Sequence, residues 1–201
     1  FEEVMVRFDA FTPDSAFKQR LGQLSPAGKV PVLVDGDLVV WDTLAIAEYV
    51  AERVPERQLW PHDIAERARA RSICAEMHSG FGALRGACMM NIEADLKHIG
   101  QIIQRDRADV RKDLARIDEM WSGLLAQYGG PMLFGQFTVA DAYYAPVCMR
   151  ISGYGLKVSP AVAAYVERVK ALPGVAAWIQ DALAEKDFLD FEEPYRLNPA
   201  S

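Results

Sequence analysis

Apolar and polar residues alternate from Phe1 to Phe8, with Val4, Val6 and Phe8 on one side and Glu3, Met5 and Arg7 on the other. A period of two is that of a half-buried β-strand. Thr12-Pro13-Asp14 then carries a helix-start signal, and Ala16, Phe17, Arg20 and Leu21 continue a short helix that Ser25-Pro26-Ala27-Gly28 ends as a turn. Two apolar runs come next, Val30-Pro31-Val32-Leu33-Val34 and Leu38-Val39-Val40-Trp41, on either side of Asp35-Gly36-Asp37. Asp-Gly tolerates the positive φ of a tight turn, so the two runs predict a hairpin. Asp42-Thr43 opens an amphipathic helix through Leu44, Ile46, Ala47, Tyr49 and Val50. The order is strand, helix, hairpin, helix.

Trp60-Pro61-His62-Asp63 reads as a linker, with Asp63 as the N-cap of the next helix. Beyond it the spacing is helical. One long helix is predicted from about Ile64 to Leu84, and the stretch from Gly86 to Leu96 is looser. A second long helix, from about Ile99 to Tyr128, carries Ile102, Ile103, Val110, Leu114, Ile117, Met120, Trp121, Leu124 and Leu125 and stops at Gly129-Gly130-Pro131. Thr138-Val139-Ala140-Asp141 opens a helix to about Ile151, Ser159-Pro160 one to Leu172, and Pro173-Gly174 the last, to about Glu185. The tail after Phe188 reads as loosely held. The pattern predicts a mixed α/β domain over residues 1–59 and an all-α helical domain over residues 63–201.

Composition narrows the function. The 201 residues are 51% hydrophobic, enough for a sizeable core, and 22 basic against 28 acidic residues give a net charge of -6. That sign disfavours nucleic acid and anionic membrane surfaces as partners. No apolar run is long enough to span a bilayer, and the N-terminus lacks a secretory pattern, so a cytoplasmic protein is expected. Cys74, Cys88 and Cys148 are widely spaced, and with His62, His78 and His98 they form no metal-ligand spacing. No metal is expected, and the cysteines read as buried small hydrophobes.

Three local patterns carry a resemblance. Ser25-Pro26-Ala27-Gly28-Lys29-Val30-Pro31-Val32-Leu33 looks like a loop entering a cis-proline strand, Trp41-Asp42-Thr43-Leu44-Ala45-Ile46-Ala47-Glu48-Tyr49 is similar to a Glu/Asp-Ser-x-Ala-Ile-x-x-Tyr helix start, and Phe137-Thr138-Val139-Ala140-Asp141 looks like an N-capping box. In this order and at these separations they resemble the cytosolic glutathione transferases over essentially the whole chain. The resemblance implies a thioredoxin-like, glutathione-binding N-terminal domain and an all-helical C-terminal domain. It also implies glutathione as co-substrate, a homodimer joined through the long helices, and a detoxifying transferase.

The same resemblance assigns site residues. A cis Val30-Pro31 bond would turn the Val30 N–H and C=O outward, where they would hold the cysteinyl unit of glutathione like an added antiparallel strand. A trans proline starting an edge strand is the purely structural alternative. The Thr43 hydroxyl and N–H would bind the γ-glutamyl carboxylate at a helix N-terminus, and Asp42 would take the ammonium group; plain helix capping is the alternative for both. Thr and Asp stand here for the commoner Ser and Glu or Gln, and the shorter Asp42 reaches the ammonium group only through water. Lys29 lies where the family places a partner for the glycyl carboxylate, or is an ordinary surface lysine. Thr138 and Asp141 are structural, each satisfying an orphan N–H of the helix start.

The family's thiol-activating Ser, Tyr or Cys has no counterpart in the chain. Phe1 to Phe8 matches the family's second strand, so roughly two dozen residues are expected ahead of Phe1, the activating residue among them. Neither Tyr49 nor Ser25 substitutes for it, since both belong to other elements. Lowering a thiol pKa of about 8.5 by about two units takes about 2.7 kcal/mol, which a hydroxyl donor and a helix N-terminus supply together. The small hydrophobic electrophile is expected in an apolar cleft between the domains, with Phe81, Leu84, Arg85, Met89 and Met90 as candidates that also read as ordinary core. The expected function is conjugation of the glutathione thiolate to that electrophile or a glutathione-dependent isomerisation of the zeta-like kind. The alternatives are a non-catalytic module for protein contacts and a Cys-dependent glutathione reductase or dehalogenase.

Overall fold

A computed structural model of the chain describes residues 1–186 and 188–196. The chain divides into two compact units, Phe1–Gln58 and a second from Leu59 onward.

The first unit contains α1 (Ala16–Gly22), β1 (Val32–Asp35), β2 (Leu38–Trp41), α2 (Thr43–Arg53) and a short 3-10 turn at Pro55–Arg57. β1 and β2 form the expected hairpin, antiparallel with Val32 opposite Trp41 and Asp35 opposite Leu38. Gly36 takes φ +60° in its turn, the conformation that glycine adopts at no steric cost. The helix after Thr12 starts later than its signal: Ser15 is the N-cap and accepts the Lys18 N–H.

Phe1 to Phe8 is not a strand. Alternation sets only which side chains share a face; a strand exists where a second strand completes its hydrogen bonds, and the sheet of the described residues is β1 with β2 alone. The Phe8 ring instead packs on Phe11 at 4.7 Å and on Phe17 of α1 at 5.4 Å between centroids. Asp9 fixes that turn by accepting the N–H groups of Ala16 and Phe17.

The second unit is helical: α3 (Ile64–Ser79), α4 (Gly82–Ala87), α5 (Lys97–Asp106), α6 (Ala108–Tyr128), α7 (Val139–Gly153), α8 (Pro160–Lys170) and α9 (Pro173–Glu185). The starts of α3, α7, α8 and α9 agree with the sequence signals. Asp63 accepts the N–H groups of Ala65 and Glu66, and proline opens α8 and α9. Thr138 and Asp141 form the capping box, and Asp141 also accepts the Leu133 N–H at 3.1 Å and the Tyr165 hydroxyl at 2.9 Å, all buried. The core sits where α6, α7 and α8 meet. Trp121 lies edge-on to Tyr144 and Tyr165 with centroids 5.2 and 5.0 Å away, and all three rings are fully buried.

Both long helices are shorter than the periodicity predicts. The first breaks where Gly80 leaves the helix in an extended conformation and Phe81 takes φ +54°, which turns the Phe81 ring into the core. The second breaks at Arg107, whose extended backbone (φ -99°, ψ 98°) separates α5 from α6. Arg111 caps the end of α5 by donating to the carbonyls of Gln104 and Arg105. Buried Ile103 and Val110 flank the break at helical spacing, so the apolar pattern runs through it unmarked.

The tail from Phe188 to Arg196 is held, contrary to expectation. Tyr195 donates to the Ala87 carbonyl at 2.8 Å, Asn91 donates to Glu193 at 2.8 Å, and Arg196, with only 5% of its side chain exposed, pairs with Glu193 and Glu93. The remainder of that tail, from residue 197, lies outside the described residues.

Candidate functional site

Lys29, Val30, Asp42 and Thr43 fall in the first unit at one end of the hairpin. Because Val32 pairs with Trp41, the residues just before β1 and just after β2 leave the ladder side by side. The Val30–Pro31 peptide bond is cis, and Val30 is 58% exposed. Lys29 is exposed on the loop before it, where Lys18 donates from Nζ to the Gly28 carbonyl at 3.1 Å.

Across the hairpin, Asp42 is the N-cap of α2 and Thr43 its first residue. The Asp42 carboxylate accepts the Leu44 N–H at 2.9 Å, so the capping role is present. Its backbone is at φ 74° and ψ 129°, a region that residues with a Cβ seldom occupy and that costs of order 1–3 kcal/mol where it persists. A strained cap at the mouth of an eleven-residue helix presents N–H groups and the positive dipole end at the same end of the hairpin as exposed Val30. Such a place suits the carboxylate of an extended peptide.

Two other hydroxyls of this unit are engaged elsewhere. Ser25 is buried and accepts the Ala27 N–H, and Tyr49 donates to Asp35 at 2.6 Å. That hydrogen bond to a carboxylate, aided by desolvation, raises the phenol pKa of Tyr49. The cysteines are in the second unit, all free and buried. Desolvation pushes the Cys88 thiol up to about 11, against weaker pulls from Arg150 and Arg107, and Cys148 rises further. His62, His78 and His98 are exposed, and Nδ1 of His78 lies 3.3 Å from the Tyr143 hydroxyl. Among the described residues no cluster of His, Cys, Asp or Glu is arranged to hold a metal, and no helix is long and apolar enough to cross a membrane.

Of the candidates for the acceptor side, Phe81 and Leu84 are core, whereas Arg85 is exposed and Met89 and Met90 are partly so. Arg150 of α7 is their neighbour, with Nη1 3.6 Å from the Met90 sulfur.

Residues 1–52 match the family described as glutathione S-transferase, N-terminal domain, and residues 100–181 match its C-terminal domain. The chain belongs to the glutathione S-transferase family. Its fold is accordingly a thioredoxin-like N-terminal domain with a small sheet, followed by a helical C-terminal domain. It is 31% identical over 144 residues to a probable maleylacetoacetate isomerase of Caenorhabditis elegans, covering 71% of this chain and 65% of that one. It is 28% identical over 160 residues to a stringent starvation protein A homologue of Coxiella burnetii, covering 75% and 66%. A Burkholderia glutathione transferase homologue solved with bound glutathione superposes with a TM-score of 0.57 and 26% identity, covering 83% of this chain and 80% of that one. The chain spans 61–66% of the length of these two relatives and of glutathione S-transferase 1 of Dianthus caryophyllus, which it also matches.

Proposed function

We propose that the chain is a glutathione transferase: residues 1–59 hold glutathione, and its thiolate attacks a small hydrophobic electrophile. The observation that carries this reading is the hairpin end, where an exposed cis Val30–Pro31 segment stands beside the strained Asp42 cap. The outward Val30 backbone pairs with the cysteinyl unit. Thr43 and the N-terminus of α2 receive the γ-glutamyl carboxylate, Asp42 the ammonium group through water, and Lys29 the glycyl carboxylate. The ammonium group and the glycyl carboxylate then have side chains of opposite charge, and the γ-glutamyl carboxylate the positive end of the α2 dipole. The described hydroxyls Ser25 and Tyr49 are committed to other partners, so neither is assigned to activating the thiol. A cytoplasmic homodimer acting in detoxification completes the reading.

The relationship to a probable maleylacetoacetate isomerase supports a second chemistry on the same site, a glutathione-dependent isomerisation. Calorimetric titration of reduced glutathione into the folded protein tests both, with saturable binding expected. Thr43→Val, which removes the hydroxyl but keeps the shape, is expected to weaken that binding by about 1–3 kcal/mol. Unchanged affinity in the folded variant means the γ-glutamyl site lies elsewhere. No saturation at all by the parent leaves the non-catalytic protein-contact module as the reading, in line with the relationship to stringent starvation protein A homologues.

A further inference from the structure

Along the chain, α2 joins the hairpin through Asp42, whose backbone is at φ 74° and ψ 129°. Backbone in so sparsely populated a region persists where its surroundings over-determine it. None of the eleven residues of α2 is buried, so packing does little to fix the helix about that pivot. A second attachment lies at the far end of the hairpin.

Asp35 closes β1 at the hairpin tip, opposite Leu38. Its Oδ2 accepts the Tyr49 hydroxyl at 2.6 Å, the length of a charge-assisted O–H···O⁻ bond, and Nε of Arg53 lies 3.5 Å from the same oxygen. Tyr49 and Arg53 stand one turn apart on a single face of α2. The Arg53 and Asp35 side chains are 65% and 47% exposed, so their ion pair is screened by water and the half-buried Tyr49 carries the clasp. The dimensions agree with this closure. From Thr43 to Tyr49 a helix rises about 9 Å, and from Trp41 back to Leu38 a strand runs about 10 Å, so α2 returns beside the hairpin to its tip.

The two edges of the candidate site belong to different bodies. Val30 runs straight into β1 and moves with the hairpin, whereas Thr43 moves with α2. A tilt of α2 about Asp42 leaves Thr43 almost in place but turns its N–H and hydroxyl away from the direction that the Val30 edge requires. Hydrogen bonds weaken steeply with misalignment. We infer that Asp35 and Tyr49, assisted by Arg53, are positioning residues: their clasp holds the mouth of α2 at a fixed angle to the Val30 edge, so that one extended ligand engages both. The inference rests on the glutathione-binding reading of that site.

The test titrates glutathione by calorimetry into the parent, Tyr49→Phe, Asp35→Ala and Thr43→Val, and into these variants combined in pairs. Tyr49→Phe keeps the ring and loses only the hydroxyl, and is expected to weaken glutathione about fivefold. Asp35→Ala should do the same, and the two together no more than either alone, since both cut one hydrogen bond. The coupling to Thr43 is the readout that a merely structural role would not move. Thr43→Val should weaken binding severalfold less in Tyr49→Phe than in the parent, because the hydroxyl it removes is already misaligned. Asp35 is at the surface, so the same cycle run with Asp35→Ala decides if Tyr49→Phe does not fold. Unchanged affinity in the clasp variants, additive losses from Tyr49→Phe and Asp35→Ala, or a Thr43→Val effect of equal size in both backgrounds overturns the positioning role and leaves the transferase reading in place. No saturable binding by the parent overturns both.

Discussion

The two units are stabilised in different ways. In the second, Trp121, Tyr144, Tyr165, Leu124, Val147 and Val162 are all fully buried. Polar groups among them are tied in as well: Asp141 accepts from the N–H groups of Leu133 and Thr138 and from the Tyr165 hydroxyl, and Tyr144 donates to the Ile73 carbonyl. In the first, Leu21 is the one buried hydrophobic side chain among the described residues, and Val34, Leu38 and Trp41 of the hairpin are 54%, 46% and 42% exposed. The first unit is organised by local devices instead: the Ser15 cap, the Asp9 carboxylate on α1, the Gly36 turn and the Asp42 cap. The difference teaches where function sits. A densely packed helical unit has little freedom to rearrange, whereas exposed backbone and a strained cap are features a ligand can use.

That contrast can be broken by substitution. The largest effect is expected at Gly100 in α5, where an added Cβ would collide with the Tyr154 carbonyl oxygen. Backbone must move, so Gly100→Ala should cost about 3 kcal/mol in urea unfolding. A near-neutral result would show that the second unit is looser than its burial implies. Next, Asp141→Ala strands buried donors and should cost about 2 kcal/mol while leaving glutathione affinity unchanged in the folded fraction. Lost binding at unchanged stability would place Asp141 in the site instead.

A pH-dependent effect is expected from the thiols. Cys88 is raised from an ordinary value near 9 to about 11, so between those values the unfolded chain has lost a proton that the folded chain still holds. Stability must therefore fall as pH rises from about 9 to 11, and native thiols should resist an aromatic disulfide reagent at about pH 8 until the chain unfolds. Rapid labelling of the native protein would contradict the burial. The smallest effect belongs to the first unit: Val34→Thr on the exposed hairpin should change stability by no more than about 0.5 kcal/mol. A large loss there would reveal a packing partner for the hairpin.

Legibility in the sequence depends on the range of the interaction. The hairpin, the caps at Asp63 and Thr138, and the prolines opening α8 and α9 are readable because each is decided within a few residues, by φ preference or by a side chain reaching its own backbone. The four glutathione candidates come from resemblance, and the hairpin register explains why two segments separated in sequence adjoin. The placement of Arg150 escapes a reading of the sequence because the Cys88 carbonyl it donates to lies 62 residues away along the chain.

By itself, the sequence determined the family, the two-part organisation, the hairpin and the starts of α3, α7, α8 and α9, because those depend on hydrophobic period and local hydrogen bonding. The tertiary structure alone decided where the long helices break. Arg107 is neither glycine nor proline, and burial of Phe81 overrides the left-handed penalty of its backbone. It also decided that Phe1 to Phe8 is not a strand and that the tail to Arg196 is held. Strand pairing and a buried ion pair both require a partner brought close by the rest of the fold, and a period along the chain cannot say whether that partner arrives.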